Sequence, residues 1–195
     1  LEDHWIALQA ANEAIDTMPL RANIAIIAPK LLALTKHEGK PLALVGVDWK
    51  SELALKGYWE AKGRLPSGNN PHEVLAGADL ASSLGLELGQ NLNIGGQELV
   101  VSGILLPTGG DDDTVLFASL PFVQNFAGKP DLAAFLEVAA LCSGCPIEDL
   151  VAQLQTALPN TEVRALRQVA ESRMYAVHFA QNLAFAVSIV ILVTA

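Results

Sequence analysis

The residues best equipped for chemistry are two cysteines set three positions apart, Cys142-Ser-Gly-Cys145. Three chemistries use that spacing. Oxidised, the pair closes a small disulfide loop, as expected in an oxidising compartment, and no third cysteine is left over. As thiolates, the two sulfurs supply half of a tetrahedral zinc shell, with no obvious second pair of ligands. As a redox motif they need a depressed thiol pKa, which a helix N-terminus provides but which Glu148 and Asp149, within one turn, oppose. The acidic neighbours favour a structural disulfide or plain thiols, with metal handling and thiol redox as the alternatives. Asp111-Asp112-Asp113 offers oxygens suited to Ca²⁺, yet not at EF-hand spacing, and reads as a solvated loop tip. His4, His37, His72 and His178 are scattered, and Ser82, Ser83 and Ser102 lack a nucleophile-elbow context. Glu60 and Glu73 are the remaining carboxylate candidates, and no spacing brings them together. Trp49, Tyr58 and Trp59 read as packing residues. No active-site pattern emerges, so neither an enzyme nor a bound cofactor is expected.

Composition narrows the class of partner. The 195 residues are 51% hydrophobic, and 12 basic against 21 acidic side chains leave a net charge of −9. Nucleic acid and anionic membrane surfaces both demand clustered Lys and Arg, which this chain lacks. The last thirteen residues, Leu183-Ala-Phe-Ala-Val-Ser-Ile-Val-Ile-Leu-Val-Thr-Ala195, contain no charge, Pro or Gly. A membrane span takes about 20 apolar residues, so this run reads as the outer part of a transmembrane helix, with a buried C-terminal core helix as the alternative. An acidic region beside such a helix fits the extracytoplasmic side, because cytoplasmic loops carry excess Lys and Arg. Leu1-Glu-Asp-His-Trp5 shows no apolar signal-peptide core.

The elements follow from periodicity and turn chemistry. His4 to Met18 has helical spacing of apolar residues and ends at Pro19. Asn23 to Leu34 and Leu42 to Val47 form an expected hairpin, with Pro29 at a bend or an edge. Glu73 to Gly77 reads as a strand, and Ala78 to Leu84 as a short helix with Gly85 just beyond its end. Asn91 to Ile94 and Gln97 to Leu106 flank Gly95-Gly96, the clearest hairpin signal in the chain. Asp111 to Asp113 belongs to a surface loop, Thr114 to Phe117 to a strand, and Leu120 to Phe126 to a helix. Ala134 to Leu141 is a strand; Pro146 opens a helix whose stripe is Ile147, Leu150, Val151, Leu154 and Leu158. Thr161 to Ala165 is a short strand. Nothing breaks a helix from Leu166 onward, and thirty residues would span about 45 Å. The expected fold class is therefore α+β. An α+β lobe (1–52 and 133–181) carries an inserted β-rich lobe (53–132), and 182–195 begins a transmembrane helix.

This order and several of its phrases resemble the extracytoplasmic core domain of MacB/FtsX-type ABC transporter permeases. The likeness is carried by Pro41-Leu-Ala-Leu-Val-Gly-Val-Asp48, Gly57-Tyr-Trp59 with Gly63-Arg64, and Glu73-Val-Leu-Ala-Gly77. Leu84-Gly85, Leu88-Gly89, Ile94, Val100-Val-Ser-Gly-Ile-Leu105, Leu158-Pro159 and Val163 extend it over roughly residues 24–195. Residues His4 to Met18 match the family's phrasing poorly. The resemblance implies a porter-like lobe with a sabre-like insertion, held outside an inner or plasma membrane. It further implies a paired permease, driven by a cytoplasmic ATPase subunit or domain and meeting a periplasmic adaptor or substrate protein. No G-x-x-x-x-G-K-[ST] occurs, so ATP chemistry would belong to another chain or domain.

Overall fold

A computed structural model describes residues 5–141 and 147–165. Ten strands and five helices lie in these residues: β1 (Ile6–Ala7), α1 (Leu8–Asp16), β2 (Ile24–His37), β3 (Lys40–Val47), α2 (Trp49–Leu55), β4 (Ala61–Gly63), β5 (Glu73–Ala76) and α3 (Ala78–Leu84). They continue with β6 (Asn91–Ile94), β7 (Gln97–Leu105), β8 (Leu116–Ser119), α4 (Leu120–Ala127), β9 (Leu132–Ala133), β10 (Phe135–Ala140) and α5 (Ile147–Ala157). Eight strands share one sheet in the order β10-β2-β3-β8-β5-β7-β4, with β6 hairpinned onto β7. The β3–β8 and β5–β7 pairs are parallel and the others antiparallel.

The two faces of this sheet are covered unequally. Leu31, Leu44, Leu116, Val74 and Ala76 share one face, because register places Ala33 opposite Leu44 and Leu44 opposite Leu116. There α3 and α4 cover the middle strands. Over β2 and β10, α1 and α5 meet above Ile24, Ile27, Leu136 and Val138, burying Ile15, Leu150 and Leu154. The opposite face carries Val45, Val47, Leu75 and Phe117, covered by α2 and Trp59. That cover stops short: Leu32, Leu34 and Phe135 on the same face stay 47%, 78% and 43% exposed. Burial of one stripe per element drives this layering at about 25 cal/mol per Å² of apolar surface.

Most expected elements are present, and their ends have physical causes. Pro29 lies within β2, opposite Leu136. The Lys30 carbonyl accepts from Ala134 N–H on the β10 side, so position 29 faces the β3 side. The β3 ladder has already ended there, at Val47 opposite Lys30, and no donor is missed. Gly85 closes α3 at φ 65°, a left-handed conformation that only glycine adopts without strain.

Three expectations need correction, and two elements were missed. The first helix begins at Leu8, because Ile6 and Ala7 pair with Ala133 and Leu132 as a small separate sheet. The strand expected at Thr114 begins at Leu116, since Asp111–Thr114 is wound into a 3-10 turn. Thr161 to Ala165 forms no strand; Val163 packs on the α1–α5 cluster instead. Helix α2 and strand β4 had no counterpart in the sequence reading, although Asp48 is a strong N-cap whose carboxylate accepts from Ser51 N–H at 2.9 Å. The expected terminal helix from Leu166, its membrane-entering end and the Cys142–Cys145 pair lie outside the described residues. Among the described residues no helix is long and apolar enough to cross a membrane.

Candidate functional site

Helix α2 is seven residues long and buries only Trp49 and Glu52, which lie one turn apart on the same face. Its partner surface is β2, flanked by β10. Register sets Phe135 opposite Lys30 and Glu137 opposite Ala28, so Lys30, Phe135 and Glu137 project toward the α2 face. These elements converge on a buried charge cluster. The Lys30 ammonium donates to Glu137 Oε2 at 2.6 Å and lies 3.0 Å from Glu52 Oε1. The Glu52 side chain is fully buried and that of Lys30 is 5% exposed, whereas Glu137 retains 29% exposure.

The contacts within the cluster are not equivalent. Lys30 reaches Glu52 at ion-pair distance but outside hydrogen-bonding geometry, and neither Glu52 oxygen accepts a directed hydrogen bond from the described residues. Burial raises the Glu52 carboxyl above its ordinary range, against the opposing pull of the Lys30 charge. One turn on, Lys56 donates to Asp112 Oδ2 at 3.1 Å, and Trp59 Nε1 donates to the same oxygen at 3.2 Å. Burial pulls the Lys56 ammonium down, but the Asp112 hydrogen bond and charge outweigh it and the net direction is upward. Farther along the sheet, Arg64 grips the buried Glu73 through both terminal guanidinium nitrogens, the Nη1–Oε2 bond measuring 3.0 Å.

The structure disposes of the acidic loop as a ligand set. Asp113 is buried, and its carboxylate accepts from Thr108 N–H at 2.9 Å, Thr108 Oγ1 at 3.0 Å and Gly109 N–H at 2.8 Å. The expectation of a solvated tip therefore fails at Asp113, which ties the loop together, and Asp112 is committed to Lys56 and Trp59. The Thr108 N–H bond leads in holding the Asp113 carboxyl below its usual range, overcoming its burial. Its folded pKa is depressed, so its stabilisation is present above the unfolded value of about 3.9 and is lost as pH falls through the folded one. Asp113→Ala is expected to lower stability by about 2 kcal/mol at neutral pH, and by less in acid. Urea titrations at pH 7 and pH 3 check both the size and the convergence.

The remaining candidates are dispersed. His72 accompanies the Glu98 carbonyl at 3.2 Å, while His37 ends β2. Ser83 and Ser102 donate to the Leu80 and Val74 carbonyls. Glu73 is taken up by Arg64, and Glu60 is exposed. Trp49 and Trp59 are core residues, as read from the sequence, but Tyr58 is 63% exposed. Among the described residues no three His, Cys, Asp or Glu side chains gather to hold a metal. The Lys30–Glu52–Glu137 cluster was missed. Its signal was a lone charge in each of two apolar strands, Ile-Ala-Pro-Lys-Leu-Leu and Phe-Leu-Glu-Val, with opposite signs.

No family model matches the chain, and no curated protein matches it. Solved structures do. The extracellular domain of the noncanonic ABC-type transporter YknZ from Gram-positive bacteria is similar with a TM-score of 0.60 at 14% identity, over 81% of this chain and 87% of that one. The periplasmic region of MacB from Actinobacillus actinomycetemcomitans is similar with a TM-score of 0.60 at 14% identity, over 78% of this chain and 72% of that one. The chain has the fold of these extracytoplasmic transporter domains.

Proposed function

We propose that this chain is the extracytoplasmic domain of an ABC transporter permease and couples ATP hydrolysis in the cytoplasm to movement of a substrate or partner outside the membrane. The observation that carries this reading is the shared fold, which extends over about four fifths of the chain at a TM-score of 0.60. In this reading the chain does no chemistry of its own. A cytoplasmic ATPase subunit or domain supplies the work, and the permease acts as a pair. This reading divides the chain into a porter-like lobe (1–52 and 133–181) and an inserted lobe (53–132); among the described residues, strands from both ranges belong to one sheet, with β3 beside β8. A sheet hydrogen-bonded throughout transmits displacement better than lobes tied by a flexible linker.

The lever in this mechanism is the segment from Leu166 onward, read from its sequence as one helix that enters the membrane at 182–195. A stiff helix conveys a tilt; a broken one dissipates it. Insertion of Gly-Gly-Gly near Ala176 in the full-length permease, assembled with its ATPase, is expected to abolish transport while ATP hydrolysis continues. Transport at the wild-type rate would overturn the lever.

A further inference from the structure

Three charged groups meet under α2 with one ammonium between two carboxyls, and the three are not equally able to stay charged. Glu137 keeps contact with water and receives the short Lys30 bond, at 2.6 Å. Glu52 has neither: its side chain is fully buried, and no described donor is directed at either oxygen. With both carboxyls ionised the cluster would hold a net negative charge in a dehydrated space, and the least hydrated carboxyl is the cheapest to neutralise. The other charges nearby oppose one another: Glu137 on β10 pushes the Glu52 carboxyl up, while Lys56, just past the end of α2 and hydrogen-bonded to Asp112, pulls it down, each less than burial does.

We infer that α2 is a pH-responsive clasp, held on the sheet while the buried Glu52 carboxyl is neutral and loosened when it ionises. The clasp is weak because α2 is one short helix that fully buries only Trp49 and Glu52, with Leu53 partly buried beside them. Ionised Glu52 regains water most cheaply if this short helix lifts, and elements with few buried contacts open first. The upward direction of the Glu52 carboxyl supports the geometry. Because the folded state binds this proton more tightly than the unfolded chain, docking is strongest below the unfolded value of about 4.3 and weakens as pH rises through the folded one. This inference stands independently of the transport reading.

The test follows the Glu52 side-chain carboxyl ¹³C resonance with pH in the full 195-residue chain, assigned by its loss in Glu52→Gln. Amide-exchange protection of Ser51–Leu55, corrected for intrinsic exchange, is followed in parallel. The resonance is expected to titrate above the ordinary glutamate value of about 4.3. Between that value and the midpoint α2 protection should fall by up to about tenfold per pH unit in the wild type, and stay flat in Glu52→Gln. A midpoint at or below the ordinary value would overturn the neutral carboxyl. A raised midpoint with the same loss of protection in both proteins would overturn the clasp.

Discussion

Replacing Phe117 by alanine is expected to remove about 3–5 kcal/mol of folding stability. Phe117 is 2% exposed and sits on β8, opposite Val45 of β3 on one side and Leu75 of β5 on the other. Its ring lies 4.8 Å from that of Trp59 and is tilted 56°, so truncation loses an aromatic pair as well as apolar area. The cavity would open where the two ends of the sheet join. Strand β8 is hydrogen-bonded on both sides, parallel to β3 and antiparallel to β5, so the backbone around the site has little freedom to close in. Phe117→Leu, which keeps most of the volume, should cost about 1 kcal/mol. Urea unfolding monitored by tryptophan fluorescence reads both variants. A loss below about 1 kcal/mol for the alanine variant would show that β8 is not a central support.

Gly46→Val is expected to destabilise by about 3 kcal/mol, through overpacking. Gly46 is in the interior of β3, between Leu31 and Ala118, and α4 crosses directly over it. A Cβ there would sit 2.7 Å from Val123 Cβ and 3.3 Å from the Leu120 Cα. Those atoms are the stem of a fully buried side chain and the helix backbone, so α4 itself must shift. The sign of Gly46→Ala is diagnostic. Glycine in a strand interior ordinarily costs roughly 0.5–1 kcal/mol relative to alanine, so an unobstructed site would gain stability. Here a loss is expected. Gly57→Ala supplies the contrast, since a Cβ at Gly57 meets nothing within 4 Å. That change should be neutral or stabilising by up to about 1 kcal/mol, and thermal unfolding of the three variants compares them directly.

These two positions also show how far local sequence carries. Leu42-Ala-Leu-Val-Gly-Val47 is recognisable as a strand from β propensity alone. Why it contains a glycine is not, because the reason is a helix 75 residues later in the chain. Asp113 shows the same limit from the opposite side. Three consecutive aspartates are read as solvated on average, yet the third folds inward to satisfy Thr108 and Gly109, and the second is held by Lys56 and Trp59. The Gly95-Gly96 hairpin and the Gly85 stop were legible in advance, since both depend on positive φ angles that few other residues accept. Helix α2 was missed although it is as long as α3, because one of its two buried positions is a glutamate and no apolar stripe shows.

The chain's own residues therefore determined what depends on neighbours within a few positions: strand and helix types, hairpin turns, the α+β class and the acidic balance that disfavours nucleic acid. The tertiary structure decided which strands meet, placing β10 beside β2 and β8 between β3 and β5 in one sheet, and which charges lose their water. Lys30, Glu52 and Glu137 are separated by 22 and 85 positions, and although Lys30 and Glu137 each interrupt an apolar run, nothing local shows that they meet or that Glu52 joins them. Their coupling exists only because antiparallel register and a two-residue anchor enclose them together, and desolvation is a property of that enclosure rather than of any one residue.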